Sequence, residues 1–266
     1  ALLEACQLAE LPVIALCHEP TALARAFVAQ TKQFKSRVAI LDLGAGCLDV
    51  AIFETSIGSM RVTASSGDTL LGGLDLDRRL VELMNEAFLG REGIDLLNDP
   101  TARMRLFEVA RRVRHELSLA PRSSSVALQA IADRAGVQLR LRHPGFAREV
   151  ATKLFEPELD MLATHCGHVL DDLGLGTDDI EELVLAGGCM QDPVIRRTVS
   201  HLFRNKPRTL SDPEQLIARG AAYHAMARDR PGLIQVEEIA SYTIGVKGRG
   251  GHATPGRPPS IGRASC

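Results

Sequence analysis

The sequence contains no run of about 18 apolar residues, so no segment is fit to cross a bilayer as a helix. It has no excess of one charge: 31 Lys and Arg stand against 33 Asp and Glu, a formal net charge of −2. That balance gives neither nucleic acid nor an anionic membrane surface an electrostatic reason to bind. It has no CxxC pair. The cysteines, Cys6, Cys17, Cys47, Cys166, Cys189 and Cys266, are scattered singly. This excludes zinc-ribbon spacing and points to a reducing compartment, the cytoplasm. The first residues lack both the basic start and the small-residue cleavage site of a signal peptide. They also lack an initiator Met, so a fragment is expected. In THCGH, His165 and His168 can share a helical face, but no second cluster completes a metal-ligand set.

What is present is ordinary globular material. Hydrophobic residues make up 45% of 266 and charged ones 24%, enough apolar content for one large or two small domains. LPVIAL (11–16) reads as a short buried strand, and PTALARAFVA (20–29) as a helix with Pro20 in its first turn. From Val38 the pattern is β: VAILDL, CLDVAIFE and MRVTASS form a meander with short turns. A helix then follows GDTLLGG, with Gly90 as its cap. Residues 99–120 form a second helix, dense in arginine. SSSVALQAI and VQLRLR flank a turn as a hairpin, and 145–173 reads as one long helix. EELVLAGG is a buried strand that meets a Gly-Gly turn. PVIRRTVSHLF and PEQLIARGAAYHAMA are helices, the first with Asp192 as N-cap. LIQVEEI and SYTIGV read as two more strands. The tail 248–266 is rich in Gly, Pro, Arg and Ser and reads as disordered.

Three stretches carry chemistry. AILDLGAGCLDVAIF interrupts two apolar strands with Asp42, the small residues Gly44, Ala45 and Gly46, and then Asp49. Glycines let backbone N–H groups close on phosphate oxygens, and nearby acids act through the water shell of Mg²⁺. LAGGCMQDP puts a Gly-Gly turn between a strand and a helix, where ribose and phosphate can lie against bare backbone. GDTLLGG supplies a further close-approach loop in Gly72 and Gly73. Each has a plain structural reading as a tight turn.

Taken in order, with EPTALARAF (19–27), RHELSLA (114–120), DPEQLIARGAA (212–222) and SYTIGV (241–246), these segments resemble the nucleotide-binding domain of the seventy-kilodalton heat-shock chaperones, the DnaK family. The resemblance runs from near the start to about 247. It implies an α/β fold, the actin-like (ribonuclease H-like) ATPase lobe, with a mixed sheet and an inserted α+β subdomain. The implied division is 1–30 as the end of an incomplete first lobe, 38–71 and 150–247 as the core of the second lobe, and 72–149 as the nucleotide-contacting insert.

The resemblance also implies a site for ATP or ADP with Mg²⁺. Asp42, Asp49 and Glu19 match the family's catalytic acids, Asp42 and Glu19 acting on the metal through water. Gly44, Ala45, Gly46 and Cys47 match the phosphate hairpin. Gly72 and Gly73 match the glycine loop, and Arg114 and Ser118 the nucleoside-facing helix. Gly187, Gly188 and Gln191 match the adenine turn, and Glu214 belongs to the segment after it. Unfolded clients and co-chaperones are the implied partners of the full-length protein.

Several positions depart from the family. Ala45 replaces a glycine, and Cys47 a threonine whose hydroxyl meets phosphate. Arg111 replaces a sugar-binding glutamate. Cys189, Met190 and Gln191 replace Ser-Thr-Arg, and His115 stands at the facing position. A thiol is a much weaker hydrogen-bond partner than a hydroxyl. With most of the first lobe and the peptide-binding domain outside the sequence, efficient hydrolysis by this chain alone is not expected. The alternatives are a divergent, non-hydrolysing co-chaperone or binding partner, another actin-like phosphotransferase, or a truncated gene product.

Overall fold

The structure, a computed structural model, describes residues 2–31, 35–134, 136–227 and 235–237. It starts with helices α1 (Leu2–Leu8) and α2 (Glu19–Gln30), followed by strands β1 (Arg37–Leu43), β2 (Leu48–Ser56) and β3 (Ser59–Asp68). Next come helices α3 (Gly73–Glu92) and α4 (Pro100–Leu119) and the hairpin β4 (Val126–Arg134) and β5 (Val137–His143). Helices α5 (Arg148–Leu154) and α6 (Glu156–Asp171) lead to β6 (Glu182–Ala186), α7 (Pro193–Leu202), β7 (Arg208–Thr209), α8 (Leu216–Ala227) and β8 (Gln235–Glu237).

One mixed sheet organises these elements, in the order β7-β6-β1-β2-β3-β8. The meander β1-β2-β3 is antiparallel, whereas β6 runs parallel to β1, β7 to β6 and β8 to β3. The central strands are buried on both faces, which is why VAIL and VLA read as continuous apolar runs rather than as alternation. Side chains still alternate between two cores. Val38 and Ile40 pack with Leu23, Ala24 and Phe27 of α2, whereas Ala39, Leu41 and Leu43 join α6, α7 and the helices of the insert.

Three expectations change. Residues 11–16 form no strand, and Leu11, Ile14 and Leu16 are 60%, 75% and 60% exposed. A strand needs a ladder for its amides, and neither edge of the sheet, β7 or β8, pairs with this run. The predicted helix over 145–173 is two helices. Phe155 ends α5, and Pro157 sits in the first turn of α6, where its missing N–H is harmless, whereas deeper in a helix it would break the ladder. Gly90 lies inside α3. The cap is Gly93, at φ 69° in the left-handed region, whose N–H donates to the Leu89 carbonyl. Of the two late strands, LIQVEEI contributes β8, while SYTIGV and the tail 248–266 lie outside the described residues.

Helices α2 and α8 cross in close contact, and Gly220 makes that possible. A Cβ there would overlap the main chain of Ala22. Since the opposing atoms are backbone, no rotamer change relieves the clash. Gly220→Ala should therefore lower stability by about 1–3 kcal/mol, read as a reduced urea midpoint with the slope preserved.

Candidate functional site

The hairpin of β1 and β2 places Asp42 directly opposite Asp49 in the ladder. Both belong to the register facing α2, because Ile40 and Ala51 lie in the α2 core. Like charges opposed across a strand pair repel. Glu19, the first residue of α2, brings a third carboxylate to the same place. Burial first, then the charges of Asp49 and Glu19, push the Asp42 carboxyl up to about 7. Burial, the charge of Glu19 and a hydrogen bond shared with it push Asp49 up to about 6. None of the three carboxylates forms an ion pair among the described residues.

The turn between these strands is Gly44-Ala45-Gly46-Cys47, closed by the Gly44 N–H donating to the Cys47 carbonyl at 3.0 Å. It is braced from behind. The amides of Gly73 and Leu74, at the start of α3, donate to the carbonyls of Gly44 (3.1 Å) and Ala45 (2.8 Å). Gly72 must be glycine, because a Cβ there would stand 2.5 Å from the Ala45 carbonyl oxygen. Gly187 must be glycine twice over: its φ is 79°, and a Cβ would strike Asp42 and Leu43. Gly44 and Gly46 differ. Neither has a left-handed φ. A Cβ on Gly44 would meet nothing nearer than 3.8 Å, and one on Gly46 nothing within 4 Å. The chain itself leaves both positions open to a side chain.

This turn faces a cavity of about 830 Å³. One wall is acidic: Glu19, Asp42 and Asp49 beside Gly44, Ala45 and Cys47. Burial and the same three carboxylates push the Cys47 thiol upward. The floor is Gly187, Gly188 and Cys189, with Pro213, Glu214 and Ile217 beside it. The opposite wall is α4, contributing Glu108, Arg111, Arg112, Arg114 and His115, with Leu74 and Asp77 of α3 at its foot.

Arg114 is held fast. Its Nε and Nη2 donate to the two carboxylate oxygens of Asp77 at 2.6 and 3.3 Å, and Nη1 lies 3.6 Å from Cys189 Sγ. Burial, the largest single effect, works against its charge, but the hydrogen bond to Asp77 together with the charges of Cys189, Asp77 and Asp192 outweighs it and the pKa rises. Burial pushes the Cys189 thiol up, against the pull of Arg114. The pair pins α3 to α4 where both meet the β6 turn. Gly73 leaves room for it, since a Cβ there would crowd Cys189 Sγ at 2.5 Å.

The structure thus gathers Glu19, Asp42, Asp49, Gly44, Ala45, Cys47, Arg114, Gly187, Gly188 and Glu214 around one cavity. Gly46 completes the turn. Gly72 and Gly73 stand behind it as supports. Ser118 lies one turn further along α4, its hydroxyl donating to the His115 carbonyl at 2.7 Å. Gln191 is exposed and does not line the cavity, while Met190 is buried in the core. Sequence reasoning missed Asp77, Glu108 and Ile217. Glu108, Arg111, Arg112 and His115 recur at helical spacing, the signal that marks one face of α4. In THCGH, His165 Nδ1 meets Ser66 Oγ at 2.8 Å, and no group of three His, Cys, Asp or Glu among the described residues stands ready to hold a metal directly.

The family model described as Hsp70 protein matches residues 1–258. The chain belongs to the Hsp70 family. A mitochondrial-type heat shock protein 70 of Encephalitozoon hellem is 33% identical over 254 residues, covering 93% of this chain and 42% of that protein. One from Encephalitozoon cuniculi (strain GB-M1) is 35% identical over 223 residues, covering 82% of this chain and 36% of that protein. The chain therefore spans about two fifths of the length of these Hsp70 relatives. The mixed α/β fold is that of an Hsp70 actin-like ATPase domain. Among the described residues no helix is long and apolar enough to cross a membrane.

The charges around this cavity of the Hsp70 chain lead to two predictions. The folded Asp42 binds its proton up to about pH 7, while an unfolded aspartate releases it near pH 3.9. Between those values the folded state holds more protons, so this group makes stability fall as pH rises, levelling off above pH 7. Asp42→Asn should melt higher than the parent at pH 8 and converge with it toward pH 4, read by thermal denaturation across pH. Asp77→Ala strands the part-buried Arg114 cation and should cost about 1.5–3 kcal/mol in denaturant unfolding.

Proposed function

We propose that this chain binds an adenine nucleotide with Mg²⁺ in the cavity, as the second ATPase lobe of an Hsp70-type chaperone that assists protein folding. The observation that carries this reading is the turn at 44–47. Gly44 and Gly46 serve no need of the chain's own packing, yet Gly44 lines the cavity with Ala45 and Cys47, beside three carboxylates that form no ion pair among the described residues. Bare backbone N–H groups suit phosphate oxygens. Converging carboxylates suit a hard cation held through its water shell. When bound, Mg²⁺ supplies the positive charge that the carboxylates lack and that the phosphates share.

The roles of the chain's own residues follow from their places. Gly44, Ala45 and Gly46 offer main chain to the phosphates, and Cys47 offers a weak thiol where the family has a hydroxyl. Asp42, Asp49 and Glu19 orient the hydrated cation. Gly187 and Gly188 leave a flat floor for the sugar. The division into core (38–71 and 150–247) and insert (72–149) makes the insert one wall of the nucleotide site. Clients and co-chaperones are proposed as partners of the full-length protein. Free thiols at Cys6, Cys47, Cys166 and Cys189 support a reducing compartment; we place the chain in the cytoplasm, while both named relatives are mitochondrial-type.

A second reading, nucleotide binding without turnover in a divergent co-chaperone, is favoured by the base-side wall. There Arg114 is committed to Asp77 and Gln191 lies outside the cavity.

The test uses the open position. Gly46→Val adds a side chain into space that the fold leaves free, so its melting temperature should stay within about 1 °C of the parent, as for a surface substitution. Titration calorimetry with Mg·ADP should show binding to the parent and at least a tenfold loss in the variant. Equal binding by the two proteins removes the phosphate role of the turn. Binding without phosphate release from Mg·ATP supports the second reading.

A further inference from the structure

The cavity is electrically divided. Its acidic wall is accounted for by a hydrated cation, but its α4 wall is not. Glu108, Arg111, Arg112 and His115 repeat at i, i+3, i+4 and i+7, so one helical face turns toward the cavity. Arg114, the fourth cationic side chain of that wall, is already paired with Asp77. Arg111 has no ion-pair or hydrogen-bond partner among the described residues. Among the described residues Arg112 has only the Glu116 carboxylate at 3.7 Å, and that carboxylate is itself engaged by the amide (2.7 Å) and hydroxyl of Ser124. Glu108 is the acid on this face, against two guanidinium groups and an imidazole. A sugar and a neutral base resting on this wall leave its guanidinium groups without an anion.

Resting on the nucleotide reading, we infer that the α4 wall is a second anion subsite, and that the cavity prefers a nucleotide carrying an additional phosphate on its ribose. The 5′-phosphates meet the glycine turn and the hydrated cation. The ribose lies over Gly187 and Gly188. The extra phosphate projects toward Arg111 and Arg112, whose planar forks bind such oxygens in pairs. Asp77 acts as the positioning residue, because it fixes Arg114 and with it the pitch of α4 against the floor.

The test is titration calorimetry of the full chain, in Mg²⁺, with ADP and with adenosine 3′-phosphate 5′-diphosphate. The expected result is that the second ligand binds about tenfold tighter or more, the scale of one charge-assisted contact. That ratio should shrink as salt rises. In Arg111→Ala/Arg112→Ala, checked by its melting curve, the ratio should fall to about one, and Arg111→Glu should reverse it. A parallel measurement follows the guanidinium Nε–H signals of Arg111 and Arg112 in NMR spectra as inorganic pyrophosphate is added without Mg²⁺; both should move. Equal affinities for the two nucleotides, with unmoved arginine signals, overturn the inference and leave the nucleotide reading standing. Failure of both nucleotides to bind, with moving arginine signals, overturns the nucleotide reading and with it the nucleotide class of this ligand.

Discussion

The structure depends on a repulsion held in place. Asp42 and Asp49 are opposed in the ladder of β1 and β2, and Glu19 adds a third carboxylate. Such a grouping weakens a hairpin end unless the surrounding backbone fixes it. Here the fixing comes from two amides of α3 on the carbonyls of the turn, and from β6, whose Gly187 fits under Asp42. The central strands β1 and β6 are otherwise apolar on both faces along most of their length. The ends of its central strands are thus where charge can collect, outside the core but against it. Burial first, and then the neighbouring carboxylates, push both aspartates upward.

The insert is tied to the same place. Helix α3 begins at the turn, and α4 returns to it through Arg114 and Asp77. Its side chains continue the core that the sheet starts: Leu80, Met84, Leu106 and Val113 join Leu41 and Val50 in one apolar cluster. A shift of the insert therefore moves the α4 wall and the turn at 44–47 together. The cavity is built by supports that cannot relax separately, the preorganisation a small polar ligand requires.

Much of the molecule was legible in the sequence. Period-2 and continuous apolar runs gave β1–β3 and β6, and helical spacing gave α2 and α4 within one residue and α3 and α8 with one end about three residues off. The acidic wall was legible from Asp42, Asp49 and Glu19 once the order of motifs pointed to the Hsp70 fold. The misreadings have physical causes. Residues 11–16 have strand composition, but a strand exists only where a neighbour completes its ladder. The break between α5 and α6 turned on one proline, whose effect depends on whether its N–H would fall in a first turn or in a helix interior.

The sequence alone determined the order of elements, the family, and the identity of the groups available to a ligand, because these rest on local spacing and on residue chemistry. Only the tertiary structure decided which of those groups face each other. It turned four charged positions of an apparently solvated helix into a cavity wall, took Arg114 out of play by pairing it with Asp77, and left Gln191 outside. It also separated glycines needed by the chain, such as Gly72, Gly187 and Gly220, from Gly44 and Gly46, which the chain does not need. Those distinctions lie in contacts between residues far apart in sequence. A one-dimensional pattern holds the side chains but not the distances between them.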